Sequence, residues 1–253
     1  MNRPWLAHYP PGVPHDVDPS QYRSLATLLE ESLRKNGKHP VSVCMERWMS
    51  YGQLDEYSSA VGAWLQAQGL APGARVAVML PNIPQFLVTM AAILRAGYTV
   101  VNVNPLYTAR ELEHQLRDAG AEAIVILENF CHTLEEVIDH CPVRHVVVAS
   151  MGDLLGFWYG RWISFAVRHL AKMVPAYRLP LSGPLGARQV VSFRQALAEG
   201  GARPLKPSQA TPDSVAFLQY TGGTTGLSKG AVLTHRNVIA AILQAEAWFQ
   251  PAL

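Results

Sequence analysis

"ARVAVMLPNIPQFLVTMAAILRAGYTVVNVN", Ala74 to Asn104, contains one full turn of a repeating pattern. Ala74 to Leu80 is a short apolar, β-branched run and reads as a strand. Ile83 to Arg95 has helical apolar spacing, with Pro84 at its start and Gly97 placed to close it. Tyr98 to Val103 is a second strand of the same kind. Neither strand alternates polar with apolar. Both therefore read as buried on two faces, as strands of a parallel sheet are.

The rhythm extends both ways. Downstream, Thr108 and Glu111 fit a capping box that opens a helix to about Ala119. Ala123 to Leu127 reads as a strand, Thr133 to His140 as a helix, and His145 to Ala149 as a strand. Upstream, Leu25 to Asn36 has helical spacing, and Val41 to Met45 reads as a strand with a second edge near Trp48. Ser50 and Gln53 fit another capping box, for a helix to about Gln68 that Gly69 ends. Repeated β-α-β order implies an α/β fold of mostly parallel sheets covered by helices. Past a break at Met151 to Ala176, Ser192 with Gln195 caps a short helix ended by Gly200 and Gly201. A Pro-rich linker (Gly201 to Asp213) follows, then a strand (Val215 to Tyr220), a Gly/Thr-rich loop, a strand (Gly230 to Thr234) and a helix from about Asn237 to Phe249.

Totals narrow the function. The chain has 253 residues, 49% hydrophobic and 16% charged, with a net charge of +2. That suits a globular protein with a sizeable core and gives no case for nucleic-acid binding. Three cysteines, an odd number, fit free thiols in a reducing compartment. The N-terminus has no apolar core of a secretory signal, and prolines and polar residues interrupt the most apolar zone, Val76 to Val103. Cys131, His132, His140, Cys141 and His145 cluster in sequence without the pair spacing of a structural zinc site, and read as core thiols and surface histidines.

"LQYTGGTTGLSKGAVLTH", Leu218 to His235, allows three chemistries. A Walker A loop needs Gly-Lys-Ser/Thr leading into a helix; here Ser228 precedes Lys229, and a strand follows. Gly226 to Gly230 fits the G-x-S-x-G of a serine hydrolase. That elbow joins a strand to a helix, and the acid and histidine should follow in that order. Ser228 lies between two strands, and His235 precedes Glu246. The third reading accounts for more residues. Gly222, Gly223 and Gly226 free the backbone to aim N–H groups at an anion. Thr221, Thr224 and Thr225 add hydroxyls, and Lys229 adds a mobile cation. A phosphate loop explains the set better than a plain hairpin does.

Thr221-Gly222-Gly223-Thr224-Thr225-Gly226-x-x-Lys229-Gly230 resembles the AMP-binding signature of the adenylate-forming superfamily. "RAGYTVVNVNPLYTARELEHQLRDAGA" and "PWLAHYPPGVP" narrow the resemblance to bacterial long-chain fatty-acid–CoA ligases, across nearly the whole chain. Ser228 departs from the Pro or Ala of many members. The resemblance implies that residues 1–253 are the N-terminal portion of the large adenylation domain. It implies activation of a fatty acid by ATP and transfer to coenzyme A. Lys229 is then the catalytic cation, Thr221 the Mg²⁺ candidate, and Thr221, Gly222, Gly223, Thr224, Thr225 and Gly226 the phosphate binders. The family's later motifs (Tyr-Gly-x-Thr-Glu, the ribose-binding aspartate, the hinge, the C-terminal lysine) do not occur before Leu253. The chain is therefore expected to be an incomplete domain that does not turn over alone, in a cytoplasmic protein. A complete phosphate- or nucleotide-binding module is the alternative from another class. A homodimer is left open.

Leu154 to Val174, "LLGFWYGRWISFAVRHLAKMV", places Arg161, Arg168 and Lys172 on one helical stripe. Leu155, Tyr159, Trp162, Ile163, Ala166, Val167, Leu170 and Met173 gather opposite. Two readings stay open: a surface helix packed on its own domain, and an interfacial helix that touches the inner face of the cytoplasmic membrane. Three cations argue against a span.

Overall fold

Pro40–Cys44 (β1) and Arg47–Ser50 (β2) form an antiparallel hairpin between Leu25–Asn36 (α1) and Tyr51–Ala67 (α2). Ser50 accepts from the Gln53 amide while Gln53 Oε1 accepts from the Ser50 amide, so the expected capping box is complete. The next elements are Arg75–Met79 (β3), Pro84–Ala96 (α3), Thr99–Asn102 (β4), Ala109–Ala119 (α4) and Ala121–Leu127 (β5). Gly97 closes α3 in the left-handed region, φ 84°. Thr108 and Glu111 form the second capping box, at the start of α4. Cys131–Glu135 (α5) leads to His145–Ala149 (β6), Phe157–Phe165 (α6), the two-residue strands Ser182–Gly183 (β7) and Gly186–Ala187 (β8), and Gln189–Ser192 (β9). Phe193–Gly201 (α7), Val215–Thr221 (β10), Lys229–Thr234 (β11) and His235–Phe249 (α8) complete the computed structural model, which describes residues 3–184, 186–221 and 228–250.

The seven-stranded sheet runs β11-β10-β4-β3-β5-β6-β9, parallel throughout except for the edge strand β11. Each central strand divides its side chains between two cores. Val76 and Val78 face one core, with Trp64 and Leu65 of α2 and Phe193 of α7. Ala77 and Met79 face the other, with Leu112 and Leu116 of α4. Two-sided burial explains the unbroken apolar runs. Each such fully buried side chain contributes roughly 1.5–3 kcal/mol relative to exposure.

Two expectations need correction. The helix expected over Thr133 to His140 is α5 followed by a separate 3₁₀ turn, Ile138–His140. The break falls where two successive β-branched residues, Val137 and Ile138, are both buried, just ahead of Pro142. Helix α7 ends at Gly201, as expected, and Gly200 has a further role one residue before that end. A β-carbon on Gly200 would stand 1.9 Å from the Ala60 carbonyl oxygen, so that glycine is there to let α7 close on α2. The basic stripe over Leu154 to Val174 does not form. The helix widens into a π-helix at Ala166–Leu170, and Lys172 lies beyond it at φ 52°. Arg168, its side chain still half-exposed, pairs with buried Glu128. The strand β9, beside β6, has no counterpart in the sequence reading.

Candidate functional site

Strand β10 enters the sheet beside β4, in parallel, and stops at Thr221. Strand β11 starts at Lys229 and returns antiparallel, in a register that places Thr221 directly opposite Lys229. Directly opposed residues on an antiparallel pair share a face, with β-carbons about 4.5–5.5 Å apart. The hydroxyl and the ammonium therefore stand together at the mouth of residues 222–228. Both residues are exposed. Among the described residues no carboxylate pairs with Lys229. Gly222, Gly223, Thr224, Thr225 and Gly226 lie outside the described residues.

The hairpin base is fastened to α4. The Tyr220 hydroxyl donates to Asp118 Oδ2 at 2.5 Å. His114 Nε2 donates to the Ser228 carbonyl at 3.3 Å. His114 and Asp118 are four apart, so one face of α4 supplies both. A β-carbon on Gly230 would lie 3.0 Å from the Tyr220 ring, so Gly230 lets the ring fold across β11. One strand over, Asn102 Nδ2 donates to Gln219 Oε1 at 2.9 Å, and Gln115 Nε2 donates to the Asn102 carbonyl at 2.7 Å. These anchors went unassigned in the sequence reading. The i, i+4 pair His114/Asp118 was the available signal, but nothing in one dimension says which strand that helix face meets. Burial and the bond to Asp118 raise the Tyr220 phenol well above its usual range, so it stays a donor at neutral pH.

The remaining candidates have other roles. His235 is buried, and its Nδ1 accepts the Leu25 amide at 3.0 Å, tying α8 to α1. Burial pushes its pKa down, which keeps that nitrogen free to accept. His114 meets the carbonyl of Ser228, not its hydroxyl, and His235 is committed elsewhere, so the hydrolase arrangement gains no support. Cys131 and Cys141 are buried thiols pushed up to about 12. A cavity of about 880 Å³ opens toward the start of β4 and β10, lined by Gly73, Gly97, Thr99, Lys206 and Ser214. It lies at the other end of those strands from the Thr221–Lys229 pair.

Known proteins resemble this chain in sequence and fold. A family model described as AMP-binding enzyme matches residues 29–252. The chain is 46% identical, over all of its length, to a long-chain-fatty-acid–CoA ligase of Escherichia coli O157:H7, of which it covers 44%. It is 31% identical to the protein of the same name from Bacillus subtilis strain 168, with 97% of this chain and 42% of that one covered. The crystal structure of a long-chain-fatty-acid–CoA ligase from Archaeoglobus fulgidus superposes with a TM-score of 0.66 at 24% identity, covering 94% of this chain and 42% of that one, and supports the fold. The chain thus spans less than half the length of these relatives. With a matched segment that takes in both the Thr221–Lys229 hairpin and the α4 face that anchors it, the chain belongs to the AMP-binding enzyme family.

Proposed function

We propose that this chain supplies the nucleotide-phosphate loop of a long-chain fatty-acid–CoA ligase. The carrying observation is the Thr221–Lys229 register pair: a hydroxyl-bearing residue and a cationic one directly opposite each other where a Gly/Thr-rich segment begins and ends. The identity to ligases along the whole chain supports the choice of reaction. In that reaction the fatty carboxylate attacks the α-phosphorus of ATP, and pyrophosphate leaves. The coenzyme A thiolate then takes the acyl group and AMP departs.

Negative charge grows on the departing pyrophosphate. Lys229 is placed to offset it, and a cation on a flexible stem can follow the phosphate as it moves. The anchors through Tyr220 and His114 fix the loop's two ends before substrate arrives, so less ordering is needed at binding. Mg²⁺, as these ligases would use it, supplies further positive charge to the phosphates. Magnesium takes a few oxygen ligands and leaves the rest to phosphate and water. The exposed Thr221 hydroxyl fits that pattern, and the described residues contain no cluster of three or more His, Cys, Asp or Glu side chains.

Fatty-acid-dependent exchange of labelled pyrophosphate into ATP by the whole enzyme tests the reading. Lys229→Ala should lower exchange by about 10²–10³-fold, the usual effect of losing one charge-stabilising group. Ser228→Ala should leave it nearly intact. Full exchange without Lys229, or its loss with Ser228→Ala, would overturn the assignment.

A further inference from the structure

The sheet face that carries Thr221 and Lys229 changes character along its strands. Phe217 on β10 is in register with Val100 on β4. Val100 is buried in the core with α2 and α3, and Phe217 packs against that core. Two residues further on, and so on the same face, Gln219 is in register with Asn102. Thr221 follows two residues later, opposite Lys229. The rungs of this face therefore run from an apolar pair to an amide pair to a hydroxyl beside a cation. The amide pair stands at the carboxyl end of two parallel strands, the edge at which open α/β sheets take their ligands.

The pair is oriented from two sides. Asn102 Nδ2 donates to Gln219 Oε1 at 2.9 Å. That bond turns the Gln219 oxygen toward β4 and leaves Nε2 as the open end of the side chain, with no acceptor among the described residues. From the other face of the sheet, fully buried Gln115 of α4 donates to the Asn102 carbonyl at 2.7 Å and fixes the end of β4. Asn102 Oδ1 is buried and has no partner among the described residues. A buried amide left half-satisfied lowers stability, and two apolar side chains of the same shape would not carry that cost. Sheet packing alone gives no reason for two amides here. A ligand that takes the open Gln219 donor does.

We infer that Gln219 is a further phosphate-binding residue, and that Asn102 is the residue that positions it. The Gln219 Nε2 donates to a phosphate oxygen of the nucleotide held by residues 221–229, and the bond from Asn102 keeps that donor, rather than the amide oxygen, turned toward the phosphate. The inference rests on reading those residues as a nucleotide-phosphate loop. It adds a neutral donor, fixed on a strand, to the mobile charge of Lys229.

Pyrophosphate exchange by the whole enzyme tests this, with KM for ATP and KM for fatty acid read separately and Tm measured alongside. Gln219→Leu removes the donor and should raise KM for ATP about tenfold, the low end for a hydrogen bond to a charged group. Gln219→Glu keeps the length of the side chain and an oxygen for Asn102, but sets a carboxylate oxygen where the donor was. Its KM for ATP should rise further still, while KM for fatty acid and Tm stay near the parent's. Asn102→Ala should raise KM for ATP by a smaller factor. Combined with Gln219→Leu it should add nothing, because Asn102 acts only through Gln219. A purely structural amide pair would lower Tm in Gln219→Leu and leave KM for ATP in Gln219→Glu as in the parent; that result would overturn the proposal. Equal rises in both KM values, or additive effects of the two residues, would overturn it too. Lys229→Ala separates this failure from that of the loop reading. Lost exchange there with a parent-like Gln219→Glu removes only Gln219 from the site, whereas full exchange with Lys229→Ala removes both assignments.

Discussion

The Tyr220 hydroxyl donates to Asp118 across 2.5 Å and joins the last turn of α4 to the end of β10, one residue before Thr221. Tyr220→Phe removes the donor and keeps the ring over Gly230. Asp118 is exposed and can turn to water, so the stability cost should sit near the low end for a bond to a charged group, about 1.5 kcal/mol. Asp118→Asn should cost less, because its amide oxygen still accepts. Urea unfolding of the two variants checks the order. A larger loss from Asp118→Asn than from Tyr220→Phe would show that the carboxylate works through something other than this bond.

Thr108 controls the same anchor from a distance. Its hydroxyl accepts the Glu111 amide, and Glu111 answers on the Thr108 amide, so α4 starts in a fixed place. Thr108→Ala should lower stability by about 0.5–2 kcal/mol. Fraying at the first turn should also loosen His114 and Asp118, one and two turns on. Hydrogen exchange at Tyr220 and Lys229 should rise by more than exchange in β5, on the far side of β3. Uniform exchange across the sheet would mean the cap stabilises the whole domain without special effect on the hairpin.

Gly200→Ala tests the close approach of α7 and α2. The new methyl would meet the Ala60 carbonyl oxygen at 1.9 Å and the Trp64 β-carbon at 3.1 Å, and a backbone atom has nowhere to move. Overpacking of this kind costs typically 1–3 kcal/mol and occasionally more. At roughly 2–4 °C per kcal/mol for a domain of this size, Tm should drop by several degrees. Gly201→Ala meets nothing within 4 Å and should be neutral or slightly stabilising, since alanine suits a helix better. Similar Tm values for the two variants would refute the packing account.

Those two glycines also show where sequence reading stops. Adjacent glycines after a short helix look like a stop, and only the partner helix reveals one of them as a contact. The parallel sheet was legible because burial on both faces writes itself into most residues of β3 to β6. The capping boxes at Ser50 and Thr108 were legible because their chemistry spans four residues. Residue types and spacing marked Thr221 and Lys229 as candidates for phosphate binding. Their direct opposition was not legible, because register depends on how β10 and β11 pair. The basic stripe over Leu154 to Val174 failed for a similar reason. Helical spacing assigned Arg168 to solvent, where it stays half-exposed, but could not show that a buried carboxylate from another element, Glu128, pairs with it.

Cys131 and Cys141 make stability fall on the alkaline side. Burial is the main cause in both cases. The Glu128 charge adds to it at Cys131, and Glu113 adds to it at Cys141 against the opposing pull of Arg117 and Arg188. Both thiols move from 9.0 up to about 12. The folded state therefore holds each proton more tightly than the unfolded chain does. Their contribution is fully present below pH 9 and is lost as pH rises from about 9 to about 12. Within that window each thiol should lower the unfolding free energy by about 1.4 kcal/mol per pH unit. The phenols of Tyr57, Tyr98, Tyr177 and Tyr220 are also raised and steepen the fall above pH 10. Comparing the parent with Cys131→Ala isolates one thiol. The variant should be less stable at pH 8, where it has only lost packing, and its slope above pH 9 should be shallower by about 1.4 kcal/mol per unit. Urea denaturation under reductant at several pH values from 8 to 11 measures both. Parallel slopes would mean that Cys131 ionises without leaving the fold, and the burial argument for that thiol would fail.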